Sequence, residues 1–210
     1  MSTSTTTMTP EQRATMVFEL LQTGSKKEHI CGKMTQLDHA LQAAQLTKNE
    51  GANEETIMAA LLLDIGHLIP PPRKSSVSHY VYDSLYQLIE ASGIEGEAAY
   101  SRLGAAYLRK LGFSNKTSEL VESNIQAKRY LLSTNLNFQT GPNDGDAVLI
   151  SMKLGLFSPT EKGEFEKDPL FRQKVQLAKW DVTAAKITGV KPPALDTYRD
   201  MIVRNLKQAV

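Results

Sequence analysis

Five polar side chains fall on helical stripes that ought to be apolar. Ile57, Ala60, Leu61 and Asp64 recur at i, i+3, i+4 and i+7, so Asp64 shares the face that turns to the core. An ionised carboxylate left unpaired there costs several kcal/mol, so a polar, cationic or metallic partner is expected opposite it. His39 lies beside the face of Leu37, Ala40, Leu41 and Ala44. Asn124 and Lys128 share a face with Val121, Ile125 and Leu132, and Asp181 follows Trp180 on the face of Phe171, Val175, Ala178, Val182 and Ala185. Each residue alone has a structural explanation, because a lone histidine near an apolar face is commonly a satisfied core residue and Asp64 could cap a helix or pair with an arginine. Four segments sending polar groups to one interior is, however, how helical bundles build ligand and metal sites. Without a cation, Asp64, Asp181, His39 and His67 would titrate as a coupled set that could supply one protonated acid and one base near neutrality. The same His39, Asp64 and Asp181 could instead hold one divalent ion.

Helices must position these groups. Thr9-Pro10-Glu11-Gln12 is a capping box with proline at the first helical position, and Gly24 closes that helix. A second helix is expected from Thr35 to Glu50, stopped by Gly51. Asn53 caps a third that carries Asp64 near its C-terminal end, and Pro70-Pro71-Pro72 prevents its continuation. A loop over Arg73 to His79 is followed by helical patterns over Val81 to Ala91, Glu97 to Leu111 with Gly112 as cap, and Lys116 to Leu132. Ser133 to Pro169 is rich in Gly, Pro, Asn, Asp and Thr and reads as a long irregular excursion. Leu170 to Thr188 and Ala194 to Lys207 form the final pair. The fold class is all-α, a single helical bundle over 9–210 behind a disordered Ser/Thr-rich tail over 1–8.

Composition narrows the partners. The chain has 210 residues, is 41% hydrophobic and 22% charged, and carries a formal net charge of +1, which suits one core and gives no electrostatic footprint for nucleic acid. No apolar run reaches the roughly 18 residues that cross a bilayer, so no membrane partner is expected. Cys31 is the only cysteine, which excludes an internal disulfide and fits a reducing, cytoplasmic setting. The expected partner is a small-molecule substrate, and the sequence is compatible with a homodimer.

Several stretches together resemble one family. Gln36-Leu37-Asp38-His39-Ala40-Leu41-Gln42, residues 59–67, Gly104 to Phe113, Ala127-Lys128-Arg129-Tyr130-Leu131 and Trp180-Asp181 are similar, in that order, to the phosphonate-cleaving HD-domain diiron oxygenases. The resemblance implies an HD-domain helical bundle and covers about residues 10–205. It also implies that the first iron position corresponds to His39, Leu63, Asp64 and Asp181, and the second to Asp64, Tyr100 and Asn124. Leucine cannot ligate a metal, an amide is a weak neutral ligand and tyrosine must first lose a proton, so most of the family's ligands are missing. By the same resemblance His67 and Lys128 correspond to substrate-contacting residues, while His29 stands where the family has a substrate-contacting tyrosine.

The expectation is therefore a metal-free HD-fold enzyme, without cofactor, that runs a non-redox isomerisation or cyclisation, including a pericyclic closure, on a small, largely apolar substrate. In that reading Asp64, Asp181, His39 and Tyr100 are catalytic, and His29, His67, Asn124, Lys128 and Leu63 line the substrate. A mononuclear-metal oxygenase or hydrolase using His39, Asp64 and Asp181, and a non-catalytic binding or scaffold protein, are the two alternatives.

Overall fold

The computed structural model describes residues 8–29, 34–71, 80–91, 93, 96–135, 138 and 155–208. The expected tail over residues 1–7, the loop over residues 72–79, Cys31 and much of the expected excursion lie outside these residues. Among the described residues the chain forms ten α-helices and no sheet: α1 Pro10–Thr23, α2 Gln36–Asn49, α3 Glu54–Leu61, α4 Tyr80–Ala91, α5 Glu97–Leu111, α6 Asn115–Glu122, α7 Asn124–Thr134, α8 Pro159–Glu166, α9 Phe171–Ala184 and α10 Arg199–Gln208. No helix among them is long and apolar enough to cross a membrane.

Local chemistry sets most boundaries. Thr9 and Gln12 form the reciprocal capping box of α1, and Thr35, Asn53 and Ser114 each accept a backbone N–H at the start of α2, α3 and α6. Gly112 takes the left-handed conformation that ends α5, where a side chain would be strained. One core of leucine, isoleucine, alanine and aromatic side chains joins α1, α2, α3, α5, α6, α9 and α10. The helix α9 packs against α2, α3 and α7, which places its inner face opposite the interior ends of those helices.

Two elements depart from the periodicity, and both departures serve the interior. The third helix stops at Leu61 rather than running through Asp64. Leu62 and Asp64 sit near φ −100°, ψ 10°, and the chain tightens into a short 3₁₀ turn, Ile65–His67. The reason is a backbone crossing: a Cβ on Gly66 would lie 2.0 Å from the Tyr100 carbonyl oxygen, and one on Gly104 3.1 Å from the Gly66 nitrogen. Continuing α3 would drive side chains into α5. The segment expected as one helix over 116–132 is instead two, α6 and α7, broken at Ser123, whose hydroxyl donates to the Leu120 carbonyl. Within the expected excursion, Ser158-Pro159 and Glu161 build a second capping box and start α8, a full two-turn helix.

Candidate metal centre

His29 reaches the interior from an extended segment rather than a helix. Glu28 and Thr35 form an isolated antiparallel bridge, the His29 N–H donates to the Met34 carbonyl at 2.9 Å, and the chain turns back directly into α2. That doubling back lays the His29 ring on the His39 ring, with centroids 3.9 Å apart and planes 23° from parallel. His39, on α2, is 1% exposed, and Asp181, on α9, is 4% exposed. Asp64 enters from the tightened turn after α3 and keeps 23% of its side chain open to solvent.

The contacts converge on two carboxylates. Asp64 Oδ2 lies 3.0 Å from His39 Nδ1 and 3.6 Å from His29 Nε2. The first of these is close yet lacks hydrogen-bond alignment. On the other side, His39 Nε2 lies 3.2 Å from Asp181 Oδ1 and 3.3 Å from the Asp181 carbonyl. Asp181 Oδ2 in turn takes Lys128 Nζ at 2.6 Å and the Asn124 amide N–H at 3.3 Å. Burial works against charge on His39, but Asp181 and Asp64 outweigh it and hold the imidazolium up at about 10. Burial likewise opposes ionisation of both carboxylates. For Asp64 the His29 and His39 contacts prevail and hold it well below the usual range, and for Asp181 the Lys128 charge and His39 lower it to about 2. The coupled set thus holds no acid poised near neutrality: with protein groups alone both carboxylates are ionised and the imidazole is charged.

One donor atom from each of His29, His39 and Asp64 lies within 4.8 Å of the other two. Two imidazoles and a carboxylate leave open positions on a metal and are the donor set of mononuclear iron(II) sites. The unaligned His39–Asp64 contact fits this set, since it leaves the buried His39 Nδ1 without a hydrogen-bond partner. Among the described residues no second donor cluster adjoins this one. Leu63 is 4% exposed in the hydrophobic core, Tyr100 stacks on His67 with centroids 4.2 Å apart, and the Asn124 amide is turned to Asp181. His67 lies near enough to Asp64 to favour its ionised form, so the His67–Tyr100 stack flanks the cluster on the side where Tyr100 is 40% exposed.

The relatives bear on what such a site does. No protein-family model matches the chain. A hydroxymethylphosphonate dioxygenase of Gimesia maris is 33% identical over 190 residues, 90% of this chain and 86% of that protein. The chain belongs to the HD-domain phosphonate dioxygenase family. An uncharacterised protein of Acanthamoeba polyphaga mimivirus is 25% identical over 199 residues, 94% of this chain and 84% of that one. A glycine-betaine-forming [1-hydroxy-2-(trimethylamino)ethyl]phosphonate dioxygenase of Leisingera caerulea is 25% identical over 178 residues, 85% of this chain and 82% of that one.

These findings overturn the expectation of a metal-free isomerase or cyclase. Relatives named as dioxygenases stand against a non-redox reaction, and the metal-dependent alternative fits them better. The physical reason the sequence misled is His29. The loss of an imidazole at Leu63 looked like the loss of the site, while the gain of one ten residues before His39 was read only as a substrate contact. A histidine at position 29, in a chain that lacks one at position 63, is the available signal.

Proposed function

We propose that the protein is a mononuclear-metal oxygenase of small phosphonates, with one divalent ion, iron(II) by donor set, held by His29, His39 and Asp64. The observation that carries this reading is the convergence of those three donors within 4.8 Å. Bound there, iron(II) would supply the activation of dioxygen that breaking a carbon–phosphorus bond oxidatively requires.

The chain's own groups do the rest. Asp64, from the turn after α3, and the stacked His29 and His39 rings would hold the ion. With both imidazoles neutral, the ion, Asp64, Asp181 and Lys128 leave one net positive charge, which favours a phosphonate anion over a neutral substrate. In this reading His67 and Tyr100 form the substrate end, where the imidazole and hydroxyl would donate to phosphonate oxygens, while Lys128 stays on Asp181. The family's dinuclear centre is in this reading reduced to one metal, because Tyr100 and Asn124 do not supply the ligands of a second.

Iron-loaded protein should therefore contain one iron per chain and release phosphate from hydroxymethylphosphonate under air, followed by ³¹P NMR. Two tightly held irons per chain would sink the mononuclear assignment, and an absence of turnover with both hydroxymethylphosphonate and [1-hydroxy-2-(trimethylamino)ethyl]phosphonate would sink the activity.

A further inference from the structure

We infer that Asp181 is a positioning residue rather than a metal ligand: it takes the Nε2 proton of His39 and so presents Nδ1 to the metal. The inference rests on the triad of His29, His39 and Asp64 proposed above. His39 Nε2 faces two acceptors of Asp181, the carboxylate at 3.2 Å and the main-chain carbonyl at 3.3 Å. A carbonyl only accepts, so the nitrogen between them carries hydrogen. In a neutral imidazole the other nitrogen then holds the lone pair. That nitrogen, Nδ1, is the one 3.0 Å from Asp64 Oδ2, on the side where the His29 ring stacks. The proton and the lone pair thus face opposite carboxylates, one to orient the ring and one to share the metal.

Asp181 is itself fixed for this task. Its Oδ2 is held by Lys128 Nζ at 2.6 Å and by the Asn124 amide at 3.3 Å, which leaves Oδ1 directed at His39. With Oδ2 committed to Lys128 and Asn124 and Oδ1 to His39, a carboxylate that turned to ligate an ion would break the contact that orients the His39 ring.

The test uses zinc(II) as a diamagnetic probe in the full-length protein. Long-range ¹H–¹⁵N correlation of the zinc-loaded parent should show His39 bound through Nδ1 and protonated at Nε2. Binding through Nε2 would overturn the inference without any variant having to fold. Competition with a chromophoric chelator should then show zinc affinity falling about 10-fold in Asp181→Asn, which keeps an acceptor, and up to about 100-fold in Asp181→Ala, each at one zinc per chain. Unchanged affinity in both variants would also overturn it. His29→Ala separates the two readings: if that variant binds zinc as tightly as the parent, the triad is wrong, whatever Asp181 does.

Discussion

Lys174 and His39 are two buried side chains that each bridge a pair of carboxylates, and only the imidazole has a nitrogen that can exchange its proton for a metal. Lys174, 5% exposed on α9, bridges Glu119 of α6 and Asp168 before α9 at 2.5 Å to each. His39 bridges Asp64 and Asp181 at 3.0 and 3.2 Å. Burial opposes the charge in both, and in both the flanking carboxylates win and raise the pKa. The lysine, raised further above an already high value, keeps its lone pair protonated and serves as a clip between helices. Imidazole has two ring nitrogens, so it can keep one proton for Asp181 and turn the other nitrogen to an ion beside Asp64. The lysine clip has no second donor beside it, whereas His29 lies stacked on His39.

Removing His29 should break the comparison most sharply. His29→Ala should weaken metal binding by at least about 100-fold, more than loss of an outer-sphere partner does, while Lys174→Met should leave metal content unchanged. Inductively coupled plasma mass spectrometry after desalting reads both. Lys174→Met should instead cost about 2 kcal/mol of stability in urea unfolding, less than the loss of one partner in a fully buried pair, because Glu119 and Asp168 remain 45% and 24% exposed. A Lys174→Met variant that lost metal but not stability would reverse the two assignments.

The pH dependence should separate the sites next. A metal that binds His39 displaces a proton held with a pKa of about 10, so metal affinity should rise about tenfold per pH unit from pH 7 to 9. In the metal-free protein the same raised pKa contributes stability that is fully present below the unfolded value of 6.5 and is lost as pH rises through about 10. Metal titrations at fixed ionic strength check the first statement, and a flat profile would show that His39 does not ligate. The smallest effect expected is for Asp168→Asn, about 1 kcal/mol or less in the same urea unfolding, since Lys174 keeps Glu119 and the introduced amide oxygen still accepts the Leu170 N–H.

Much of the frame was legible in the residues because it depends on neighbours in sequence. The capping box of Thr9 and Gln12, the caps Thr35 and Asn53, and the glycine stop at Gly112 each act within a few residues, and the helices begin and end there. The inward placement of Asp64 and Asp181 followed from burial cost, although Asp64 reaches the interior from a turn and not from the helix its spacing suggested. The break at Ser123 was not legible, since nothing in Lys116 to Leu132 interrupts the helical pattern.

By itself the sequence determined an all-helical chain with a carboxylate and an imidazole directed inward, because helix periodicity and the cost of burying charge are local and residue-specific. Only the tertiary structure brings the proposed donors together. His29 lies in an extended segment where no period tells which way a side chain points, and it meets His39 and Asp64 because a bridge between Glu28 and Thr35 folds the chain back onto α2 while the Gly66–Tyr100 crossing bends Asp64 toward it.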